Sequence, residues 1–384
     1  MGRGPESRVD AGLSLWGPRP QGYKPTHGDA AAAHRTRVVV VSPHSPDPAA
    51  HVDDPRWIPD LLGPSYRRRE LPLGTDPDGE GPISATLVRH EDAPARPDAV
   101  ALVVHGLSDY FFHTHLAEFL AARGTATYGI DLRKCGRSRR EGVTPHFTTD
   151  LERYDDELDQ ALEVIVAEHP GVPVFVFAHS TGGLVVPLWL ARRRDRSALA
   201  PVVGVVLNSP WFQLDVTERA RAVLDPVIRT LGSVRPFYRL PLPTSDRYVI
   251  STHVDHDGDF HFDTTLKPPG GVGVRAGWLA AVRRAQRRLQ AGVDLPLPVL
   301  LLRSTASSVG MRPRGGEIDV DTDLILDVRS MQRFADRVSA DVTDVAVDRA
   351  RHDVFLSRAD VLEVVFDHLG RWLDQTLSAR PKES

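Results

Sequence analysis

The 384-residue chain has a single cysteine, Cys135, and only four lysines (Lys24, Lys134, Lys267, Lys382) among 47 basic residues. One cysteine excludes an intramolecular disulfide and a cysteine-based metal site, and a reducing, cytoplasmic setting is expected. Arg133 and Arg137 beside Cys135 are neighbours of the kind that lower a thiol pKa, but a spectator thiol in a loop is the expectation. No apolar run approaches the ~20 residues of a membrane-spanning helix, so no stable membrane insertion is expected. No continuous apolar segment near the start reads as a signal peptide, and Glu6 stands where a myristoylation signal needs Ser or Thr. The net charge of −4 gives no case for nucleic acid. Phosphate-cradling glycine loops, a dinucleotide fingerprint after a first strand and His-Glu-x-x-His are all missing. Residues 253–263 alternate His and Asp, but Gly258 is misplaced for a calcium loop, so neither a metal nor a cofactor is expected. Arg192 to Arg194 and Arg283 to Arg288 read as solvated helix faces, and the arginine and alanine bias is that of a GC-rich bacterial genome.

What is present starts at Val174-Phe175-Val176-Phe177-Ala178-His179-Ser180-Thr181-Gly182-Gly183. A β-branched and aromatic strand runs into a tight turn carrying Ser180, and an apolar helix follows from Leu184. Such an elbow pushes a serine out of the sheet edge, and small flanking residues let strand and helix pass closely. The usual G-x-S-x-G appears here with Ala178 in the first small position.

A serine nucleophile on such an elbow is followed in chain order by an acid and a histidine. His352 lies in a loop between the strand-like Val342 to Val347 and the C-terminal helix, where a general base belongs; His368 sits on that helix and reads as a packing residue. The acid is expected after the strand at Leu297 to Leu302. Residues 304–316 contain no carboxylate, and then Glu317, Asp319, Asp321, Asp323 and Asp327 follow in succession. Asp323 is the choice because Leu324, Ile325 and Leu326 start an apolar turn behind it, with Asp321 as runner-up. Two backbone N–H groups are expected to hold an oxyanion, those of Thr181 after the nucleophile and Leu107 after the strand Val100 to Val104. His105 beside them reads as structural.

Along the chain, residues 1–55 read as a disordered tail and 56–384 as one domain. A hairpin is expected at about 66–73 and 83–90. Strands then fall near 98–104, 125–131, 173–178, 202–207, 297–302 and 342–347, between helices near 114–123, 150–168, 181–193, 276–291 and 358–376. Continuous apolar strands between helices indicate an α/β fold with a parallel sheet covered on both faces. From about 208 to 275 the alternation stops; this stretch holds Trp211, Phe212, Phe237, Tyr238, Tyr248, Phe260 and Phe262.

His105-Gly106-Leu107, Asp131-Leu132-Arg133-Lys134-Cys135-Gly136-Arg137-Ser138, His179-Ser180-Thr181-Gly182-Gly183, Asp323 with Leu326-Asp327, and His352 together resemble the α/β-hydrolases of the serine aminopeptidase S33 and monoacylglycerol lipase-like group. The likeness covers roughly 64–376. It implies an α/β-hydrolase fold with a mostly parallel central sheet, and Ser180, Asp323 and His352 as the triad. It also makes the 208–275 insertion a cap, with Tyr110, Phe111 and Trp211 as tentative pocket residues. The implied activity is cleavage of a small-molecule carboxylic ester (a monoacylglycerol, a lysophospholipid or a small acyl ester) through an acyl-enzyme. Alternatives are a peptidase or amidase, an acyltransferase using the same triad, or a non-catalytic binding module should the 304–322 insertion displace the acid.

Overall fold

The computed structural model describes residues 56–194, 199, 201–242, 246–309 and 319–380; the expected tail at 1–55 and Glu317 lie outside them. The chain opens with a short β1 (Ile58–Asp60), then β2 (Gly63–Thr75) and β3 (Pro82–His90), which form the expected hairpin with Leu71 opposite Ala85. There follow β4 (Ala99–Val104), α1 (Thr114–Ala121), β5 (Thr125–Asp131), α2 (Tyr154–Glu168), β6 (Val174–His179), α3 (Gly182–Arg192) and β7 (Val202–Asn208). After an insertion holding α4 (Glu218–Val234) and α5 (Arg247–Thr252), the pattern resumes with α6 (Ala276–Gln290), β8 (Val299–Ser304), α7 (Val328–Phe334), β9 (Val342–Val347) and α8 (Ala359–Ser378).

The strands form one nine-stranded sheet in the order β1-β2-β3-β5-β4-β6-β7-β8-β9. The first three pairings are antiparallel and the rest parallel. Strand alternation divides the core into two layers. Val100, Leu102, Val104, Val174, Val176 and Ala178 pack with residues of α2, α3 and α6 on one face. Ala99, Ala101, Val103, Phe175 and Phe177 pack with residues of α1 and α8 on the other. Continuous apolar strands are what burial on both faces requires.

The arginine runs are solvated only in part: Arg194, Arg284, Arg287 and Arg288 are exposed as expected, while Arg192, Arg193 and Arg283 are not. Arg192 and Arg193 of α3 bind Asp155 and Asp159 of α2, and Arg283 of α6, with a buried side chain, binds Asp225 of α4. These pairs stitch neighbouring helices together. Among its described residues the insertion holds no strand, in keeping with the missing strand–helix alternation, but it does hold a long helix, α4, that the sequence reading did not place. It buries Ile228 and Gly232 and turns Val223, Val227 and Val234 outward, at 68%, 55% and 72% exposure. Its apolar residues Val223, Leu224, Val227, Ile228, Leu231 and Val234 do recur at helical spacing, so the stripe was there to read despite Pro226.

The Asp131 to Ser138 element is a structural clamp. The Arg137 guanidinium, fully buried, forks onto Asp60 at 2.7 and 2.8 Å and reaches Asp131 at 2.9 Å. Arg133 pairs with the buried Glu157, and Lys134 with Asp76 and Glu80. Burial next to Asp131 pushes the Cys135 thiol well up, the opposite of activation, because its arginine neighbours are committed to these carboxylates. Arg137→Met leaves Asp60 and Asp131 buried without their cation. A loss of about 3–5 kcal/mol is expected in urea denaturation of the variant; a loss below about 1 kcal/mol would show that the clamp is dispensable.

Candidate active site

The Ser180 turn explains its own composition. Ser180 takes φ 51°, a left-handed conformation costly for a residue with a side chain. A Cβ on Gly106 would stand 2.8 Å from the Ser180 Cβ, and one on Gly182 would stand 2.7 Å from the Val104 and His105 carbonyl oxygens. Glycine is therefore required where the β4 loop, the elbow and the start of α3 meet. Ala178 is accommodated in the core, so the extra methyl is tolerated.

Ser180, His352 and Asp323 come together from three segments. The His352 Nδ1 lies 3.0 Å from Asp323 Oδ2, and its Nε2 lies 3.1 Å from Ser180 Oγ. Nδ1–H donating to the carboxylate leaves Nε2 free to accept the serine proton. Asp323 is fully buried, and its Oδ1 accepts the Ile325 and Leu326 N–H groups at 2.8 Å each. Asp321 is turned elsewhere, onto Arg351 at 3.1 Å. Although Asp323 comes late in sequence, its N–H donates to Ala306 O and its carbonyl accepts Ser308 N–H. The acid thus returns to the exit of β8.

Leu107 and Thr181 line one small cavity with Gly106 and Gly182. Among the described residues neither of their N–H groups has a hydrogen-bond partner. His105 shows why it reads as structural: its Nδ1 donates to Gly106 O at 2.7 Å while its Nε2 accepts Leu132 N–H at 3.1 Å. Because a peptide unit is planar, fixing the Gly106 carbonyl also fixes the direction of the Leu107 N–H.

Of the tentative pocket residues, Trp211 is next to the serine, donating its N–H to Ser180 O at 2.9 Å and stacking its ring on Trp278. Tyr110 is buried one layer away among Phe112, Val249, Phe262 and Leu356. Phe111 is not brought to the site. It points under the sheet with the α1 and α8 residues, and its ring fills the space a Cβ on Gly129 would take.

Several site residues escaped the sequence reading. Tyr248 of α5 sets its ring edge-on to His352, with centroids 5.5 Å apart. Asn208, the polar end of the apolar β7, accepts Ser180 N–H at 3.0 Å through its carbonyl and donates Nδ2 to Asp353 at 2.6 Å. Asp353 also takes His113 Nε2 at 2.8 Å, so Asn208 holds both the Ser180 turn and the His352 loop. Burial alone would raise the Asp353 carboxyl, but the His113 hydrogen bond and the Lys267 ammonium hold it well below the usual range. Burial pushes His179 down to about 4, so its ring is neutral. Asp109, His179 and Asp353 are the one set among the described residues with potential metal-ligating atoms within 4.8 Å of one another. The Lys267 ammonium, 2.7 Å from Asp109 Oδ1, already supplies a cation there. In the 253–263 stretch, His253 spends Nε2 on Phe262 O and Nδ1 on Asp255 N–H.

Comparison with known proteins agrees with this architecture. The chain is 23% identical over 283 residues to a monoacylglycerol lipase of Mycolicibacterium smegmatis, covering 72% of this chain and 88% of that one. It is 27% identical over 241 residues to human monoglyceride lipase, covering 62% and 73%. The fold matches a soluble variant of monoglyceride lipase from Saccharomyces cerevisiae solved with a substrate analog, at TM-score 0.57 and 16% identity over 87% of this chain and 99% of that one. The serine aminopeptidase S33 family model matches residues 95–358. A parallel sheet with a serine elbow and a family match across most of the chain make this protein a member of the serine aminopeptidase S33 family of α/β-hydrolases.

Proposed function

We propose that the protein is a serine hydrolase that cleaves carboxylic esters of the monoacylglycerol, lysophospholipid or small acyl type. The observation that carries this reading is the Ser180–His352–Asp323 relay at 3.1 and 3.0 Å, beside two unpaired backbone N–H groups. Ser180 Oγ attacks the ester carbonyl carbon as its proton passes to His352 Nε2, and Asp323 holds Nδ1–H and offsets the imidazolium charge. The Leu107 and Thr181 N–H groups hold the developing oxyanion. The carbon–oxygen bond to the alcohol then breaks with the proton returned from Nε2, leaving an acyl-enzyme. His352 next deprotonates water, which attacks the acyl carbon; the bond to Ser180 Oγ breaks as Nε2 returns the proton to that oxygen, and the acid departs.

The 209–275 insertion serves as the cap. Tyr248 covers His352, and the outward Val223, Val227 and Val234 on α4 suit an amphiphilic ester. Lipase names among the relatives support the same substrate class. The binding-module reading loses its basis, since Asp323 reaches His352 despite the preceding insertion. A free amine-binding acid is not offered by Asp109 or Asp353, which already face Lys267 and His113.

The test is labelling of pure protein with a fluorophosphonate, with peptide mapping, alongside p-nitrophenyl esters and monoacylglycerols of increasing chain length. Labelling confined to Ser180 and turnover peaking at one acyl length are expected. An unlabelled Ser180 without turnover on any ester sinks the reading.

A further inference from the structure

The loop that follows Leu107 is held between the insertion and the core, residue by residue. Ser108 Oγ accepts the Val272 N–H at 2.9 Å, Asp109 Oδ1 takes the Lys267 ammonium at 2.7 Å, and Tyr110 Oη accepts the Asp263 N–H at 2.7 Å. Three successive residues are thus bonded to one short strap of the insertion, residues 263–272. The Lys267 ammonium is buried and lies over the rings of Phe112, Tyr248 and Phe262, at 5.3, 5.2 and 5.9 Å from their centroids. With the pair sealed this way, lifting the strap would leave the Asp109 carboxylate buried without its cation, which is costly.

The core grips the same loop from the other side. Ser108 N–H donates to His146 Nδ1 at 3.3 Å, and Phe111 N–H to Asp131 Oδ1 at 2.8 Å. Burial pushes His146 down to about 3, so the ring stays neutral and keeps its acceptor at working pH. Ser108 has φ 58°, a conformation a non-glycine residue keeps only when its surroundings impose it. The imposing contacts are the ring below and the strap above, where a Cβ on Gly271 would stand 3.1 Å from Ser108 Oγ.

We propose that Ser108 is a positioning residue: its hydroxyl, seated on the Val272 N–H, sets the place of the adjacent Leu107 N–H, so that docking of the strap completes the oxyanion site. This inference rests on the serine-hydrolase reading. An insertion that only covered substrate would change KM. One that seats the oxyanion donor changes kcat, because that donor interacts most strongly with the charge formed in the transition state.

The experiment compares wild type, Ser108→Ala and Gly271→Ala in the full chain, counting competent sites by fluorophosphonate titration read by intact mass. Ser108→Ala removes the acceptor; Gly271→Ala presses on it from the strap, at a φ of +69°. In each, kcat per titrated site is expected to fall about 10-fold with KM changed less than about 2-fold. The rate of phosphonylation should fall in parallel, since the phosphonyl oxygen uses the same donors. Unchanged kcat per titrated site, or a loss carried wholly by fewer titratable sites, overturns the inference. If Ser108→Ala does not fold, Gly271→Ala decides by the same criterion. A wild type that neither labels nor turns over defeats the serine-hydrolase reading itself, a result distinct from either outcome in the variants.

Discussion

Ser180→Ala is expected to lower kcat/KM for its best ester by about 10⁴-fold or more, leaving only the rate supplied by binding and the oxyanion donors. The argument is geometric. Ser180 Oγ is the hydroxyl that meets His352 Nε2, at 3.1 Å, and among the described residues no other side chain is hydrogen-bonded to that nitrogen. The substitution removes one atom and retains the Cβ that the Gly106 contact already accommodates. The backbone holds the turn independently, through Ser180 N–H to Asn208 O and Trp211 N–H to Ser180 O. Thermal stability should therefore stay within a few degrees of wild type, on the scale of a change under about 1 kcal/mol. Esterase activity of the pure variant within about 10-fold of wild type would remove Ser180 from the chemistry.

The sheet was legible because its strands are buried on both sides, and such strands are nearly continuous apolar runs. All six parallel strands read from the sequence appear within two residues of their expected bounds. The elbow was legible for a related reason: small residues must cluster where Gly106, Ser180 and Gly182 touch, and that crowding leaves a mark on a short stretch of sequence. Features that depend on distant partners were not legible. Lys267 has no local signature; its meaning comes from Asp109, 158 residues earlier. Asn208 ends a strand and Asp353 follows the histidine in a loop, positions that carry no local mark of a role. Only the fold shows that they bind each other across the site. Phe111 and Phe112 are adjacent in sequence and go to different layers, the first under the sheet and the second toward Phe262, which composition does not distinguish. Arg283 was misread because its partner Asp225 sits 58 residues earlier on α4, a helix the sequence reading did not place.

The choice between Asp323 and Asp321 leads to the second large effect. Asp323→Asn is expected to lower kcat by about 10³–10⁴-fold with little change in KM, whereas Asp321→Asn should leave kcat within about 3-fold of wild type. Asp323 Oδ1 is fixed by the N–H groups of Ile325 and Leu326, two donors that an amide oxygen satisfies equally well. The introduced amide therefore keeps its oxygen there and turns its NH₂ toward His352 Nδ1. That nitrogen must then accept, so the ring proton moves to Nε2, which faces Ser180 Oγ and can no longer take its proton. The loss arises in proton transfer rather than in binding, which is why kcat carries it. Asp321 instead neutralises Arg351, whose guanidinium is buried and also donates to Leu356 O. Its substitution should appear in denaturant stability, by about 1–3 kcal/mol, before it appears in turnover. The two variants are separated by steady-state kinetics on one ester together with urea unfolding. A large kcat loss in Asp321→Asn with Asp323→Asn near wild type would reverse the assignment.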